Sequence, residues 1–193
     1  MTNILHQITL TYSAEQDRIM LRISTKQQNE YQLWLTRRFV RAIWDGLLKA
    51  IEQDPTLTQG LMPKVKKAIM AMEHQKSIQD SDFSQKHATD NVNLTPKIAQ
   101  ESNPKPSKGL DRTPSGVEAI LVTGAQVKPV NGNLTRIKLK TKIDTAVEFS
   151  LNKKLLHALC HMLVSSTQKA GWGLNLSIGN PQIVIPADAN QIH

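Results

Sequence analysis

The chain has 193 residues, of which 39% are hydrophobic, and its 24 basic and 16 acidic side chains give a formal net charge of +8. This length allows one or two small domains, and the low hydrophobic fraction places part of the chain outside a packed core. No run approaches about 18 consecutive apolar residues, which excludes a membrane-spanning helix. Residues 1–7 lack a secretory signal and the single Cys160 excludes an intrachain disulfide, so the sequence predicts a soluble cytoplasmic protein.

The first part of the chain alternates apolar and polar residues in three short segments separated by polar turns: 8–12, 18–24 and 30–35. This period-two pattern predicts antiparallel strands with one buried face. Thr36 follows at the N-cap position of a helix, where its hydroxyl can accept a hydrogen bond from a backbone N–H. Apolar residues then recur at three-four spacing from Phe39 to Ile51, which predicts an amphipathic helix that ends at Asp54-Pro55.

The middle of the chain combines a short basic helix with a polar segment. Residues 61–75 have an apolar side and carry lysines mostly on the other, which predicts a helix that packs on its own domain or binds a partner. From 77 to 116, Ser, Asn, Gln, Asp, Lys and Pro dominate. Such a composition cannot bury enough apolar area to offset the entropy of ordering, so it predicts a flexible linker.

A second alternating region follows the linker. Residues 131–133, Asn-Gly-Asn, are typical of a hairpin turn because Asn-Gly tolerates positive φ, and strands are predicted on both sides of it and over 146–151. Asn152 is the predicted N-cap of a second amphipathic helix. Further strands are predicted towards the C-terminus, at 174–178 and 183–185.

A shift of 116 positions aligns the two regions without a gap over their second and third strands and their helix. Under this shift Thr36 aligns with Asn152. We interpret this alignment as an internal duplication. Two such units would pack as a pseudo-dimer, within one chain or in a homo-oligomer, and the sequence leaves open whether they share one core. The predicted fold is therefore α+β, with two tandem β-β-β-α repeats. Its segments are 1–54 (first repeat), 55–76 (basic helix), 77–116 (linker), 117–186 (second repeat with one or more C-terminal strands) and 187–193 (tail).

The second strand of each repeat carries basic residues on its outward face. In the second repeat every other residue is basic over four positions, which places positive charges about 7 Å apart, near the spacing of backbone phosphates. Trp34 shares the outward face of the first repeat and is a candidate for base stacking, and arginines at the start of the first helix oppose its dipole. The candidate nucleic-acid-binding residues are Arg18, Arg22, Trp34, Arg37, Arg38, Arg41, Arg136, Lys138, Lys140 and Lys142.

Motifs for catalysis, metal binding or nucleotide binding are missing from the sequence. No glycine-rich phosphate loop occurs, and the carboxylates are too scattered to indicate an acid–base pair. His157, Cys160 and His161 share one helix, but Cys160 belongs to its apolar stripe and the two histidines to its polar side. We therefore predict no metal site, no cofactor and no enzymatic activity.

Three strands followed by a helix, over 8–53 and again over 118–178, are similar in outline to the repeated sheet-then-helix modules of the Pur-alpha and Whirly single-strand binders, which have four strands per helix. This topological resemblance shares no signature motif, so it implies a function without assigning residues. Together with the net charge of +8, it favours a non-enzymatic protein that binds single-stranded DNA or RNA through the backbone, with little sequence preference. The alternative is an adaptor subunit that holds a protein partner through its basic helix and sheet edges.

Overall fold

The computed structural model describes residues 5–26, 30–53, 60, 62–81, 119–130 and 133–179. The helices and strands are, in chain order, β1 (Leu5–Ser13), β2 (Arg18–Thr25), β3 (Glu30–Leu35), α1 (Arg37–Glu52), α2 (Pro63–Gln79), β4 (Ile120–Val130), β5 (Leu134–Thr141), β6 (Ala146–Asn152) and α3 (Lys153–Lys169). The predicted α+β class is confirmed.

All six strands form one sheet in the order β1-β2-β3-β4-β5-β6. Neighbouring strands are antiparallel except β3 and β4, which run parallel with Leu33 opposite Ile120 and Trp34 opposite Leu121. The prediction of antiparallel strands alone is therefore wrong at β3 and β4, and both halves of the chain belong to one mixed sheet. An isolated β3 would be a sheet edge with unpaired N–H and C=O groups, and its pairing with β4 covers the Leu33–Trp34 part of that edge.

Helices α1 and α3 cover one face of the sheet, and residues from both halves of the chain are buried there in one core. Helix α1 packs on β4, and α3 packs on β1, β5 and β6 as well as on α1. Each of these helices thus covers a strand from the other half. Leu33, Val40, Ile137 and Phe149 are all at most 2% exposed. Because burying one such side chain contributes about 1.5–3 kcal/mol, the stability of the core depends on both halves.

Helices α1 and α3 begin at the N-caps that the sequence predicts. Thr36 Oγ1 accepts a hydrogen bond from the Phe39 backbone N–H at 3.2 Å. Asn152 Oδ1 accepts one from the Leu155 backbone N–H at 2.9 Å. Each bond satisfies a donor that the first turn of a helix cannot pair internally, so both predicted helix starts are confirmed.

Helix α2 is longer than predicted and packs on α3. It continues to Gln79, past the predicted end at residue 75. Met70 is its buried residue, and a polar contact adds to the apolar one because Lys153 Nζ lies 2.7 Å from Glu73 Oε1. Apolar and polar contacts thus both hold α2 against α3.

The C-terminal part of the chain departs from prediction. Residues 174–178, predicted as a strand, belong to none of the six described strands. The apolar residues of this segment alternate because Leu174, Leu176 and Ile178 pack against the core, although the segment is not a strand. The predicted strand 183–185, the tail and the linker beyond residue 81 lie outside the described residues.

Gly179 joins this C-terminal segment to α2. Its φ is +65°, and a Cβ placed on it would lie 2.6 Å from the Lys67 carbonyl oxygen and 2.8 Å from the Ala71 Cβ. Both the backbone conformation and the available space therefore require glycine. We expect Gly179→Ala to lower the free energy of unfolding by about 1–3 kcal/mol, which urea denaturation would measure.

Gly173→Ala is the matched control for this prediction. Gly173 has a similar φ of +61°, but a Cβ there would have nothing within 4 Å. The control therefore carries the backbone strain without the clash against α2, and it should lose less stability than Gly179→Ala. Equal losses in the two variants would contradict a tight contact between Gly179 and α2.

Candidate nucleic-acid interface

Strand β5 divides its side chains between the two faces of the sheet. The buried set, which faces the core, consists of Thr135, Ile137, Leu139 and Thr141. Alternate residues of a strand point to opposite faces, so the remaining side chains lie on the face opposite the core. They include Arg136, Lys138 and Lys140. The structure thus places these three cations of the predicted row together on the outward side of the sheet.

Two further lysines extend this row. Lys128 of β4 lies directly opposite Arg136 in the antiparallel register. Lys142 follows the end of β5, where its backbone N–H donates to the Leu121 carbonyl oxygen at 2.9 Å. Both lysines are exposed. Charges spaced about 7 Å along β5 and about 5 Å between strands form one surface. We name it the cationic sheet face, and its residues are Lys128, Arg136, Lys138, Lys140 and Lys142.

Lys128 is missing from the sequence prediction because its place depends on strand register. The register of β4 against β5 shifts between Val122 and Gly124. The partner of Lys128 therefore cannot be found by counting residues from the start of β4. The predicted hairpin turn contains the signal that would have found it. Three residues separate Val130 from its partner Leu134, and moving two residues away from the turn on each strand pairs Lys128 with Arg136.

Carboxylates near the cationic sheet face are fewer than cations. The described residues from 119 to 152 contain Asp144, in the turn after β5, and Glu148 of β6. Glu148 Oε1 lies 3.4 Å from Arg136 Nε, and the side chains are 37% and 46% exposed. Such an exposed pair contributes only about 0–1 kcal/mol. Five cations against two carboxylates leave three positive charges in excess, which favours an anionic partner.

The cationic sheet face offers charge and hydrogen bonds but no stacking surface. The outward residues of β4, β5 and β6, strands that are described throughout, include no aromatic side chain. Gln126 lies opposite Lys138, and Ser150 lies opposite Arg136 on the other side of β5. These neutral side chains can donate to phosphate or sugar oxygens. The geometry therefore suits a backbone contact better than recognition of bases.

The first half of the chain does not supply a matching surface. Arg18 and Arg22 lie on the outward face of β2 and are half-buried. Met20, between them, and Trp34, its partner on β3, are each 6% exposed. Trp34 therefore presents little of its ring to solvent in this structure, and its stacking against bases stays a prediction. Strand β3 is an interior strand, on which Trp34 lies between Met20 of β2 and Leu121 of β4.

The arginines of α1 lie on a different surface. Arg37, Arg38 and Arg41 are exposed, but α1 packs on the face of the sheet that carries the core. The cationic sheet face is on the other side of that sheet. The structure thus divides the predicted site residues, and it brings together those of β5 and Lys142 with the unpredicted Lys128.

Asp17, in the turn between β1 and β2, ties this turn to the residues that follow α3. Its Oδ1 accepts hydrogen bonds from Trp172 Nε1 at 2.8 Å and from the Tyr12 hydroxyl at 3.0 Å. These two bonds, with a smaller contribution from the charge of Arg37, hold the pKa of Asp17 below its usual range. The same contact raises the pKa of Tyr12. We interpret this cluster as structural, because it joins two segments distant in sequence.

Asp17→Asn is expected to lower the melting temperature at neutral pH, since the amide keeps the shape of the carboxylate but loses its charge. Asn also tolerates the positive φ of 45° at this position. A carboxyl group whose pKa is lowered in the folded protein stabilises the fold at pH values above its unfolded-state pKa of about 4. That stabilisation is lost as the pH falls through the folded-state pKa. The difference in melting temperature between the wild type and the variant should therefore shrink below about pH 4. A difference that stays constant on acidification would contradict this assignment.

The histidines of α3 lie at the contact with α2. His157 is fully buried, so its predicted place on the polar side of α3 is wrong, because α2 packs there. Its Nδ1 lies 3.2 Å from Nδ1 of His74 on α2. Cys160 is a buried free thiol whose pKa burial raises. Within the described residues, no three His, Cys, Asp or Glu side chains are placed to hold a metal ion.

The three helices are 16 or 17 residues long, and within the described parts of the chain none is long and apolar enough to cross a membrane. Comparison of the chain with known protein families, with curated proteins and with solved structures found no match.

Proposed function

We propose that this protein binds nucleic acid without catalysing a reaction, and that the cationic sheet face contacts the phosphate backbone. The observation that carries the proposal is the grouping of five cations on one outward sheet surface, against two carboxylates among the described residues from 119 to 152. Such a surface displaces counterions from a polyanion on binding, which favours association without base-specific contacts. We expect the protein to act in the cytoplasm, where the lone Cys160 would stay reduced.

A single strand of DNA or RNA is the ligand that we favour. Sheet strands twist, and a flexible single-stranded backbone can follow a twisted row of charges more easily than a rigid duplex. Stacking on aromatic side chains contributes about 1–3 kcal/mol per base in single-strand binders, and the cationic sheet face offers none. The proposal therefore includes modest affinity, little sequence preference and a strong dependence on salt.

Internal duplication is also proposed, and the element bounds support it. The shift of 116 positions carries Arg18–Thr25 onto Leu134–Thr141, which are the bounds of β2 and β5. It also carries the N-cap Thr36 onto the N-cap Asn152. Helices α1 and α3 each cover a strand of the other half, as the members of a pseudo-dimer would.

Under this duplication the two sheet faces have diverged. The same shift carries Met20 onto Arg136 and Ser24 onto Lys140. Met20 and Ser24 are buried, whereas Arg136 and Lys140 are exposed. One copy of the outward face would thus have become a packing surface and the other a charged surface.

Fluorescence anisotropy with labelled single-stranded DNA tests the proposed function. An oligonucleotide of about 20 nucleotides is long enough, because it exceeds the length of strand that one sheet module usually covers. We expect the purified protein to bind at about 50 mM salt with a dissociation constant in the micromolar range. Single-stranded RNA should bind comparably, and a duplex of the same length more weakly. Absence of binding with about 100 µM protein at that salt concentration would contradict the proposal.

The adaptor alternative has support from a separate surface, the exposed side of α2, which carries large apolar side chains. A purified protein that binds no oligonucleotide but forms a stoichiometric complex with another chain would favour it over nucleic-acid binding.

A further inference from the structure

Helix α2 carries a stripe of apolar residues on the side that faces solvent. Met62 at its N-cap is 74% exposed, Val65 is 45% exposed and Met72 is 70% exposed. Ala68, between Val65 and Met72, is also exposed. Residues three or four positions apart lie on one side of a helix, so these four side chains follow one line. We name Met62, Val65, Ala68 and Met72 the α2 stripe.

Lysines border the α2 stripe at the start of the helix. Lys64, Lys66 and Lys67 occupy the first turns, and the first turn of α2 contains no acidic residue. A positive charge there opposes the helix dipole and costs about 0.3–1 kcal/mol. An arrangement that is unfavourable for the isolated helix becomes favourable when carboxylates of a partner lie nearby.

The acidic residue of the central part of α2 does not neutralise these lysines. Glu73 is directed to the other side of the helix, where Lys153 of α3 pairs with it at 2.7 Å. Met70 on that side is buried, and Lys154 donates to the Asp80 carbonyl oxygen. The contact with α3 therefore fixes α2 while its stripe and the exposed Lys64 and Lys67 face solvent.

We propose that the α2 stripe binds an amphipathic helix of a partner protein that carries carboxylates beside its apolar side chains. Ala68 is small, so a second helix can approach closely at the centre of the stripe, and the unbranched methionines can adapt to its surface. Helices that rest on membranes usually bury Trp, Phe or Leu, which the stripe lacks, so a protein is favoured over a lipid surface. This inference rests on the adaptor function and not on nucleic-acid binding.

The test uses two labelled amphipathic peptides of about 18 residues, or five helical turns, with identical leucine positions. One peptide has glutamates beside the leucines and the other has lysines. We expect the acidic peptide to bind the full chain, with at least about tenfold higher affinity than the basic peptide in fluorescence anisotropy. Val65→Glu with Met72→Glu should weaken its binding at least about tenfold. Both positions are exposed, so the fold should tolerate the changes, and circular dichroism would verify this.

Two control variants locate the peptide site. Leu155→Glu changes an apolar residue of α3 that is 40% exposed, and it should leave peptide binding unchanged. Lys138→Glu with Lys140→Glu removes the proposed nucleic-acid contact and should also leave peptide binding unchanged, so the two proposals can fail independently. Equal binding of both peptides, or no effect of the α2 substitutions, would overturn the inference. If the protein binds anionic vesicles but not the acidic peptide, the inference is overturned in favour of a lipid surface. If the protein self-associates and Met72→Glu abolishes the self-association, it is overturned in favour of a second copy of the chain.

Discussion

Lys138→Glu combined with Lys140→Glu is expected to weaken the binding of single-stranded DNA by about 100-fold at low salt, which corresponds to about 2.8 kcal/mol. The wild-type cationic sheet face has five cations, and the described residues from 119 to 152 contain two carboxylates. The double variant would have three cations and four carboxylates, so the local excess of charge changes sign and repels phosphate. Anisotropy titrations of both proteins with the same oligonucleotide measure the effect.

Lys49→Glu combined with Lys169→Glu is the matched control. Both lysines are exposed, and they lie on α1 and α3, the helices on the core side of the sheet. This variant changes the net charge of the protein by the same amount as the sheet-face variant, so it separates a local contact from general attraction. We expect it to lose less than about threefold in affinity. Equal losses in the two variants would contradict a site on the sheet face.

Residues 119–179 alone are expected to remain unfolded, although they contain three strands and a helix. In the full chain, α1 covers β4, and α3 packs on β1 and on α1. Without the first half, the core side of β4 and much of α3 would be exposed, and β4 would lose its pairing with β3. A fragment of this size buries too little apolar surface to offset such losses.

Circular dichroism and amide dispersion in a two-dimensional NMR spectrum would measure the state of this fragment. We expect a random-coil spectrum, and native-like signals only after the first half of the chain is added. A fragment that melts cooperatively by itself would contradict the shared core and would favour two independent domains.

Local features of the fold are readable from the sequence because they depend on nearby residues. The N-cap roles of Thr36 and Asn152 follow from a polar side chain that precedes an amphipathic run, and hydrogen bonds confirm both. The strands are visible because their alternation matches the period of a pleated sheet with one buried face. Arg136, Lys138 and Lys140 face outward for the same reason, since the intervening residues of β5 are buried.

Features that depend on distant partners were not predicted correctly. The parallel pairing of β3 with β4 joins segments separated by two helices, and no local pattern indicates which edges meet. That pairing places Leu121 beside Trp34, which is buried although the sequence pattern alone indicates an exposed side chain. The burial of His157 likewise depends on α2, which packs on α3 from another part of the chain. Lys128 is an intermediate case, because its place follows from the hairpin register alone.

The central claim is that the cationic sheet face binds phosphates, and the salt dependence of oligonucleotide binding tests it most directly. Each phosphate contact on a single strand contributes about −0.7 to the slope of log affinity against log salt concentration, so five cations predict a slope of about −3.5. Lys138→Gln should make that slope less steep by about 0.7, as expected for one lost contact. A slope near zero, or a slope that Lys138→Gln leaves unchanged, would contradict the account.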